Sequence, residues 1–485
     1  MLKKTAQLSS QLSRALPVFF GTEMWERYGF YIVQSLLALY LSSELHLADA
    51  QIYKLVGSFT ALTYISPIIG GWIADHCIGQ KKAVLTGGIL LFLSYLLLAF
   101  SLSLNHLILS FSGIAMGTGL LKPNISSLLG RQFPKNSSQR DSAFTIFYLG
   151  ITTGIILGTT LPTQLQLWFG WRACFLSAAI GMLLAIFIFS MGLKFSKIED
   201  YAVLKNRIII NWAKALGIIF LAYFIFHTVL YYPQFANIFF IFIILIALFL
   251  VLKIAFGESG DQRNKTLSLL VLFIISTCFW VFYFEMFMML TLFITRAVQP
   301  LIFGMKFPAP YYVSVESFGM LILGIFLSQL WKKFPTPNLA ISTGIKFMLA
   351  IMVMLLAYGL ILWTAHSHSL SLLSPWPILL AYLLISLAEL LLSPIGLSAV
   401  TSLAHPKVVS TLMGIFFVSL GVGGFLSGQL AQVAAISAKT QDIIKIKTAY
   451  LHGFSIVTSL LGFVLILAIM GCILISYLSR NIKWH

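Results

Sequence analysis

The sequence predicts an all-α, polytopic membrane protein built as two six-helix bundles with a two-helix insertion between them. Three observations carry this. Of 485 residues, 59% are hydrophobic and 9% are charged, where a soluble chain carries about 25% charged residues. Apolar runs of about 20 residues or more, long enough to cross a bilayer as helices, recur along the whole chain. The connections between them are short, which suits antiparallel neighbours in a bundle.

Taken in order, the apolar windows place about fourteen spans. They lie near 16–42, 52–75, 82–103, 106–129, 142–165, 172–193, 209–231, 234–256, 266–298, 311–331, 339–364, 375–402, 408–436 and 448–478. The runs at 209–231 and 234–256 hold no acid and many Phe, Ile and Leu, and the turn Tyr231-Tyr232-Pro233 joins them. Such a hairpin can sit in lipid beside a bundle. Setting it aside leaves six spans on either side, an arrangement of transporters built from repeats. The expected domains are 1–194, a linker with the hairpin at 195–265, and 266–485.

The formal net charge is +17, which by itself would suit a nucleic-acid partner. Its distribution sets topology instead. With the N-terminus inside, alternate loops collect Lys3, Lys4, Arg14, Lys81, Lys82, Arg131, Arg140, Lys194, Lys253, Arg263, Lys265 and Lys407 among others, whereas the opposite side collects few, such as Arg172, Lys306, Lys445 and Lys447. This positive-inside bias puts both termini in the cytoplasm, and no nucleic acid is needed to explain it. The first apolar run is too long for the core of a cleavable signal peptide. The four cysteines are scattered without CxxC spacing, so neither disulfides nor a metal site is expected.

Charges inside spans are costly and mark function. The first span holds Glu23, Glu26 and Arg27 at i, i+3 and i+4, on one helix face. Two acids and a base on a buried face can take up and release a proton. Lys122 lies mid-span and needs an acidic partner; Glu389, mid-span in the other half, is one candidate. The second span ends Gly70-Gly71-Trp72-Ile73-Ala74-Asp75-His76, followed by Gly79-Gln80-Lys81-Lys82. Here glycines permit close helix approach, and a helix-terminal acid stands before a basic pair.

That turn resembles the cytoplasmic loop motif of the major facilitator superfamily. Glu-x-x-Glu-Arg followed by Tyr28-Gly29-Phe30-Tyr31 resembles the proton-dependent oligopeptide transporter family within it. Further segments match in order: Gly117 to Ser126 with its lysine, Phe147 to Gly154, Phe279-Trp280 through Glu285, and Glu389 to Ser398 with its Ser393-Pro394 step. Gln34 and the turn from Asp75 to Lys82 look most like the enterobacterial di- and tripeptide permeases.

The resemblance implies a major facilitator fold and a proton-driven importer of short peptides or peptidomimetics in a bacterial inner membrane. It implies action as a monomer, with the lipid bilayer as surroundings and no cofactor. Glu23, Glu26, Arg27 and Lys122 would couple the proton. Arg27, Phe30, Tyr31, Gln34, Tyr64, Lys122, Thr152, Trp280, Glu285, Glu316, Glu389 and Ser393 would form the substrate surface. Gly71, Asp75, Gly79, Lys81 and Lys82 would form the gating loop.

The chain departs from the family at several of these places. Phe30 replaces a tyrosine, Gln34 a basic residue, Thr152 an asparagine and Glu316 an asparagine. Ser317 stands for a proline, Phe416 for a frequent tryptophan, and Glu285 comes one position after the usual acid. The changes fall on the substrate surface and spare the coupling residues. Glu285, Glu316 and Glu389 together would make the second half of the cavity acidic and favour a cationic substrate group.

Two other classes compete. An efflux antiporter of the same superfamily would share the fold and loop motif without needing Glu-x-x-Glu-Arg or Lys122. A membrane-embedded enzyme would need a reactive set, yet the nine histidines are dispersed and neither GxSxG nor HExxH occurs.

Overall fold

The computed structural model describes residues 2–101, 103–133, 138–196, 198, 200, 208–333, 339–366, 371–437, 440 and 442–479. The end of the chain that bears on the inside C-terminus, 480–485, lies outside the described residues. The helices are α1 (Leu2–Ser43), α2 (Asp49–Ile73), α3 (Gln80–Ala99), α4 (Leu104–Arg131), α5 (Ser138–Phe195), α6 (Ile208–Tyr231), α7 (Pro233–Gly257), α8 (Gly260–Tyr283), α9 (Met289–Ala297), α10 (Pro310–Lys333), α11 (Leu339–Ala365), α12 (Pro375–Leu403), α13 (Val409–Leu430) and α14 (Ile443–Leu478). A two-stranded ribbon, β1 (Leu301–Ile302) against β2 (Met305–Lys306), follows α9.

Among the described residues, 12 helical stretches are long and apolar enough to cross a membrane. The expected spans fall on these stretches except for 16–42, which lies in α1 but is not one of the twelve, and there are two further differences. Windows 142–165 and 172–193 run together as the 58 residues of α5, whose backbone leaves helical geometry at Gly170 (φ 80°, ψ 178°). An unbroken helix of that length would run about 87 Å, far beyond a bilayer. The window 266–298 is broken: α8 passes into a 3₁₀ turn, Phe284–Phe287, and Met288 (φ −126°, ψ −96°) precedes α9. Apolar periodicity does not register such a break, because both sides of it are equally apolar.

The chain forms two compact units, Met1–Leu37 with Leu62–Phe235, and Ala38–Ala61 with Ala236–His485. The hairpin is divided between them. In unit 1 the Tyr223 hydroxyl of α6 donates to the Leu109 carbonyl of α4 at 2.9 Å. In unit 2 Phe240 of α7 stacks on Phe425 of α13, with centroids 4.3 Å apart. Both helices leave large apolar side chains exposed, Ile209 at 85% and Phe249 at 63%, as lipid-facing surfaces do.

Small residues set how closely the helices of unit 1 approach. Gly150, Gly154 and Gly158 recur every four residues on α5. A Cβ there would meet the carbonyl oxygens of Phe20, Met24 and Tyr28 on α1 at 3.0, 2.4 and 2.7 Å. This stripe holds α1, with its charged face, against α5. On α2, a Cβ at Gly70 would lie 1.9 Å from the Gly119 carbonyl oxygen of α4, whereas Gly71 has nothing within 4 Å. The close approach expected of Gly71 is therefore made by Gly70, because only one of two consecutive helical residues can face the neighbour.

Unit 2 contains an ionic clasp that the sequence reading did not single out. Asp49 starts α2 and Arg296 ends α9, so each complements its helix dipole. Arg296 binds Asp49 through both nitrogens, at 2.7 and 2.9 Å, and also reaches Tyr450 and Ser42, each at 3.0 Å. The Ile436 N–H donates to Asp49 at 3.2 Å.

Two predictions follow from this packing. Gly70→Ala should destabilise the protein by about 1–3 kcal/mol or prevent its folding, while Gly71→Ala should leave the melting temperature in detergent unchanged. Arg296→Met should cost about 2–3 kcal/mol, toward the low end for a buried pair because Arg296 keeps 18% exposure. Asp49→Leu added to it should recover part of that loss in the same melting assay, since it removes the stranded carboxylate.

Candidate functional site

The glycine stripe of α5 and the i, i+3, i+4 spacing on α1 bury Glu23, Glu26 and Arg27 together, at 1, 0 and 2% exposure. Arg27 grips Glu26 with one edge of its guanidinium, Nε and Nη2 donating at 2.5 and 2.6 Å. Its contact with Glu23 is longer, 3.7 Å, and Glu23 Oε2 has no hydrogen-bond partner among the described residues. Lys122 of α4 lies within electrostatic range of all three and sits over the Tyr64 ring at 5.1 Å. Lys122 thus finds acidic company inside its own unit. Two negative and two positive groups balance when all are ionised. Glu26 is saturated by Arg27, so Glu23 is the carboxyl with an oxygen left to take a proton.

The expected substrate residues of unit 1 surround this set. The Arg27 guanidinium stands 4.6 Å over the Phe30 ring, and Tyr31, edge-on to Phe30, lies within electrostatic range of Arg27. Phe30 and Gln34 are buried, while Tyr31, Tyr64 and Thr152 are partly exposed. The Thr152 hydroxyl donates to the Tyr148 carbonyl of its own helix at 3.1 Å.

In unit 2 the acids stand in different settings. Glu285 falls in the break between α8 and α9, accepts a hydrogen bond from Ser427 at 3.2 Å and lies within reach of the Met289 N–H at the start of α9. There it caps a helix that begins inside the membrane. Glu316 of α10 and Glu389 of α12 instead pair with each other. Trp280 is 3% exposed and packs edge-on against Tyr283. Ser393, one turn beyond Glu389, is partly exposed.

The gating loop takes an unexpected form. Asp75 is exposed in a π-helical turn, Ala74–Ile78, which ends at Gly79 with φ 81°. The N–H groups that open α3, at Gln80 and Lys81, donate to Asp200 at 3.2 and 3.0 Å. Lys82 lies 5.7 Å over the Trp212 ring of α6. Asp200 was missed because the helix it caps begins 120 residues earlier in the chain; its only signal was an acid in an otherwise basic connection.

Comparisons with known proteins give the family. A family model described as PTR2, the POT family, matches residues 81–448. Dipeptide and tripeptide permease B of Yersinia enterocolitica is 28% identical over 97% of this chain and 96% of its own. The permease B of Edwardsiella piscicida is 27% identical over 89% of each chain. A crystal structure of a mutant of peptide transporter POT in complex with alafosfalin superposes with a TM-score of 0.83, at 26% identity, over 97% of this chain and 96% of that one.

The Asp200 cap can be tested directly. Asp200→Ala should cost about 0.5–2 kcal/mol and speed amide hydrogen exchange in the first turn of α3, with Asp200→Asn in between.

Proposed function

The chain belongs to the POT family and has its major facilitator fold, and on that premise we propose how it works: as a proton-coupled symporter that imports di- and tripeptides, or compounds like them, by alternating access. It is a multi-pass membrane protein and a secondary transporter, not an enzyme. We place it in a bacterial inner membrane with both termini inside. We count α5 as two passes turning at Gly170, and α8 with α9 as one, which makes about fourteen passes. The two six-helix halves are 1–194 and 266–485, with the hairpin between them. It acts as a monomer and needs no cofactor, since a proton crossing about 100 mV releases about 2.3 kcal/mol before any pH gradient is added.

The observation that carries this reading is the buried four-charge set of Glu23, Glu26, Arg27 and Lys122. An efflux antiporter has no need of it. A proton on Glu23 leaves the set with one net positive charge, which a substrate carboxylate can answer beside Lys122 and Arg27. Proton and peptide carboxylate then enter together, because each offsets the charge of the other. Thr152 spends its hydroxyl on its own helix, and Phe30 offers none. Peptide-backbone recognition should therefore be weaker than in relatives with the full set, by about 0.5–1.5 kcal/mol per lost hydrogen bond.

Proteoliposome uptake of a di- and tripeptide panel, with and without an imposed proton gradient, tests the proposal. An inward gradient should drive accumulation; efflux under that gradient would favour the antiporter. Glu23→Gln should abolish accumulation and keep counterflow exchange. Glu26→Gln should also lose stability, because it strands the buried Arg27. Full accumulation by Glu23→Gln would remove that residue from the mechanism.

A further inference from the structure

Glu26 of α1 has a buried hydroxyl one turn to either side of it. Thr22 precedes it at i−4, on the same helix face. Gly29 follows it at i+3, and there the Tyr95 ring of α3 lies against α1. A Cβ at Gly29 would stand 2.9 Å from Tyr95 Cε2 and 3.3 Å from the Tyr95 hydroxyl oxygen. Tyr95 and Thr22 are 0 and 1% exposed, and neither hydroxyl has a hydrogen-bond partner among the described residues.

A buried hydroxyl without a partner costs free energy, and neither case is forced by its helix. Buried Ser and Thr elsewhere in unit 1 donate to the carbonyl one turn back, as Ser112 does at 2.7 Å and Thr163 at 2.9 Å. Thr22 does not. At position 95 a bare phenyl ring would fill the same space without that cost. The charges that face the Tyr95 hydroxyl are Glu26 and Arg27. α4, packed on α3, brings Lys122 within range of the same pair. α5 also packs on α3, but its cations stand elsewhere. Arg172 lies over Phe100, which ends α3, at 4.1 Å; Arg140 lies over Phe144 at 5.8 Å and Lys194 over Phe195 at 5.7 Å. Tyr28 of α1 is engaged already, donating to Ser177 at 2.9 Å.

Both Glu26 oxygens accept from Arg27, through Nε and Nη2. The two hydroxyls are idle only while Arg27 stays. In the transport reading Arg27 answers a substrate carboxylate, and Glu26 then loses those donors. A buried carboxylate stripped of its donors must find others or take a proton.

We propose that Thr22 and Tyr95 are positioning residues, a standby donor pair for Glu26: their hydroxyls donate to it when Arg27 turns to a substrate carboxylate, which leaves Glu23 as the carboxyl that takes the proton. The inference rests on the transport reading above and adds how one of two neighbouring acids is selected. Hydroxyl-to-carboxylate bonds are short and charge-assisted, so two of them replace the two that Arg27 withdraws. Glu26 keeps its charge throughout. Without them Glu26 would take a proton as well, and each peptide would bind with two.

Replacing Arg27 imitates its departure without any ligand. In the full chain in nanodiscs, Tyr95→Phe alone should leave the melting temperature unchanged or higher, because the lost hydroxyl has no partner while Arg27 is in place. In an Arg27→Met background the same change should lower it by several degrees, and Thr22→Val should behave likewise. Equal shifts in the two backgrounds would overturn the proposal. So would a large loss with Arg27 present, which would mark a fixed structural bond. Calorimetric titration with dialanine and dialaninamide gives a second measurement. At neutral pH, Tyr95→Phe should weaken dialanine binding about tenfold and raise the protons taken up per peptide. Its affinity should then fall more steeply with rising pH than that of wild type. Dialaninamide has no carboxylate to draw Arg27 away and should bind both proteins alike. Wild-type affinity and wild-type proton uptake in Tyr95→Phe would overturn the proposal. Failure of an inward gradient to drive accumulation, with the Arg27-dependent melting loss intact, would count against the transport reading alone.

Discussion

A charge held in hydrocarbon has to be answered by another charge or by a proton, and the buried groups of both units are arranged around that constraint. In unit 1 two acids and two bases come together so that no single ion is alone. In unit 2 Arg296 and Asp49 meet through two parallel hydrogen bonds, and Glu316 meets Glu389. These sets differ in how completely each partner is satisfied. Asp49 is filled by Arg296 and a backbone N–H, which suits a structural clasp. Glu23, Glu285, Glu316 and Glu389 each keep an oxygen without a donor among the described residues.

Close packing makes these pairings possible. Helices in lipid gain little from burying apolar surface against each other, so they approach where side chains are absent. Gly150, Gly154 and Gly158 let α5 lie on α1, on the helix whose face carries Glu23, Glu26 and Arg27. Gly319 does the same where α10 meets α12, beside Glu316. The glycines therefore fix distances on which the electrostatics depend. The break before α9 follows the same logic of satisfaction: the backbone groups freed there are met by Glu285, itself held by the Ser427 hydroxyl, and by the Thr291 hydroxyl, which donates to the Met286 carbonyl at 2.6 Å.

The amino-acid sequence by itself determined the membrane class, most of the apolar stretches, the family resemblance and the residues of the first-helix cluster. Hydrophobic runs and helical spacing are local properties, and Glu23, Glu26 and Arg27 are neighbours along one helix. Only the tertiary structure decided which groups pair across helices. Gly70 rather than Gly71 faces α4, because the facing residue depends on the rotation of α2. Asp200 caps α3, and Asp49 finds Arg296, because those partners are joined by folding across long stretches of chain. Glu285 falls in the break between α8 and α9, which apolar periodicity does not register. Which oxygen is left without a donor is set by three-dimensional packing.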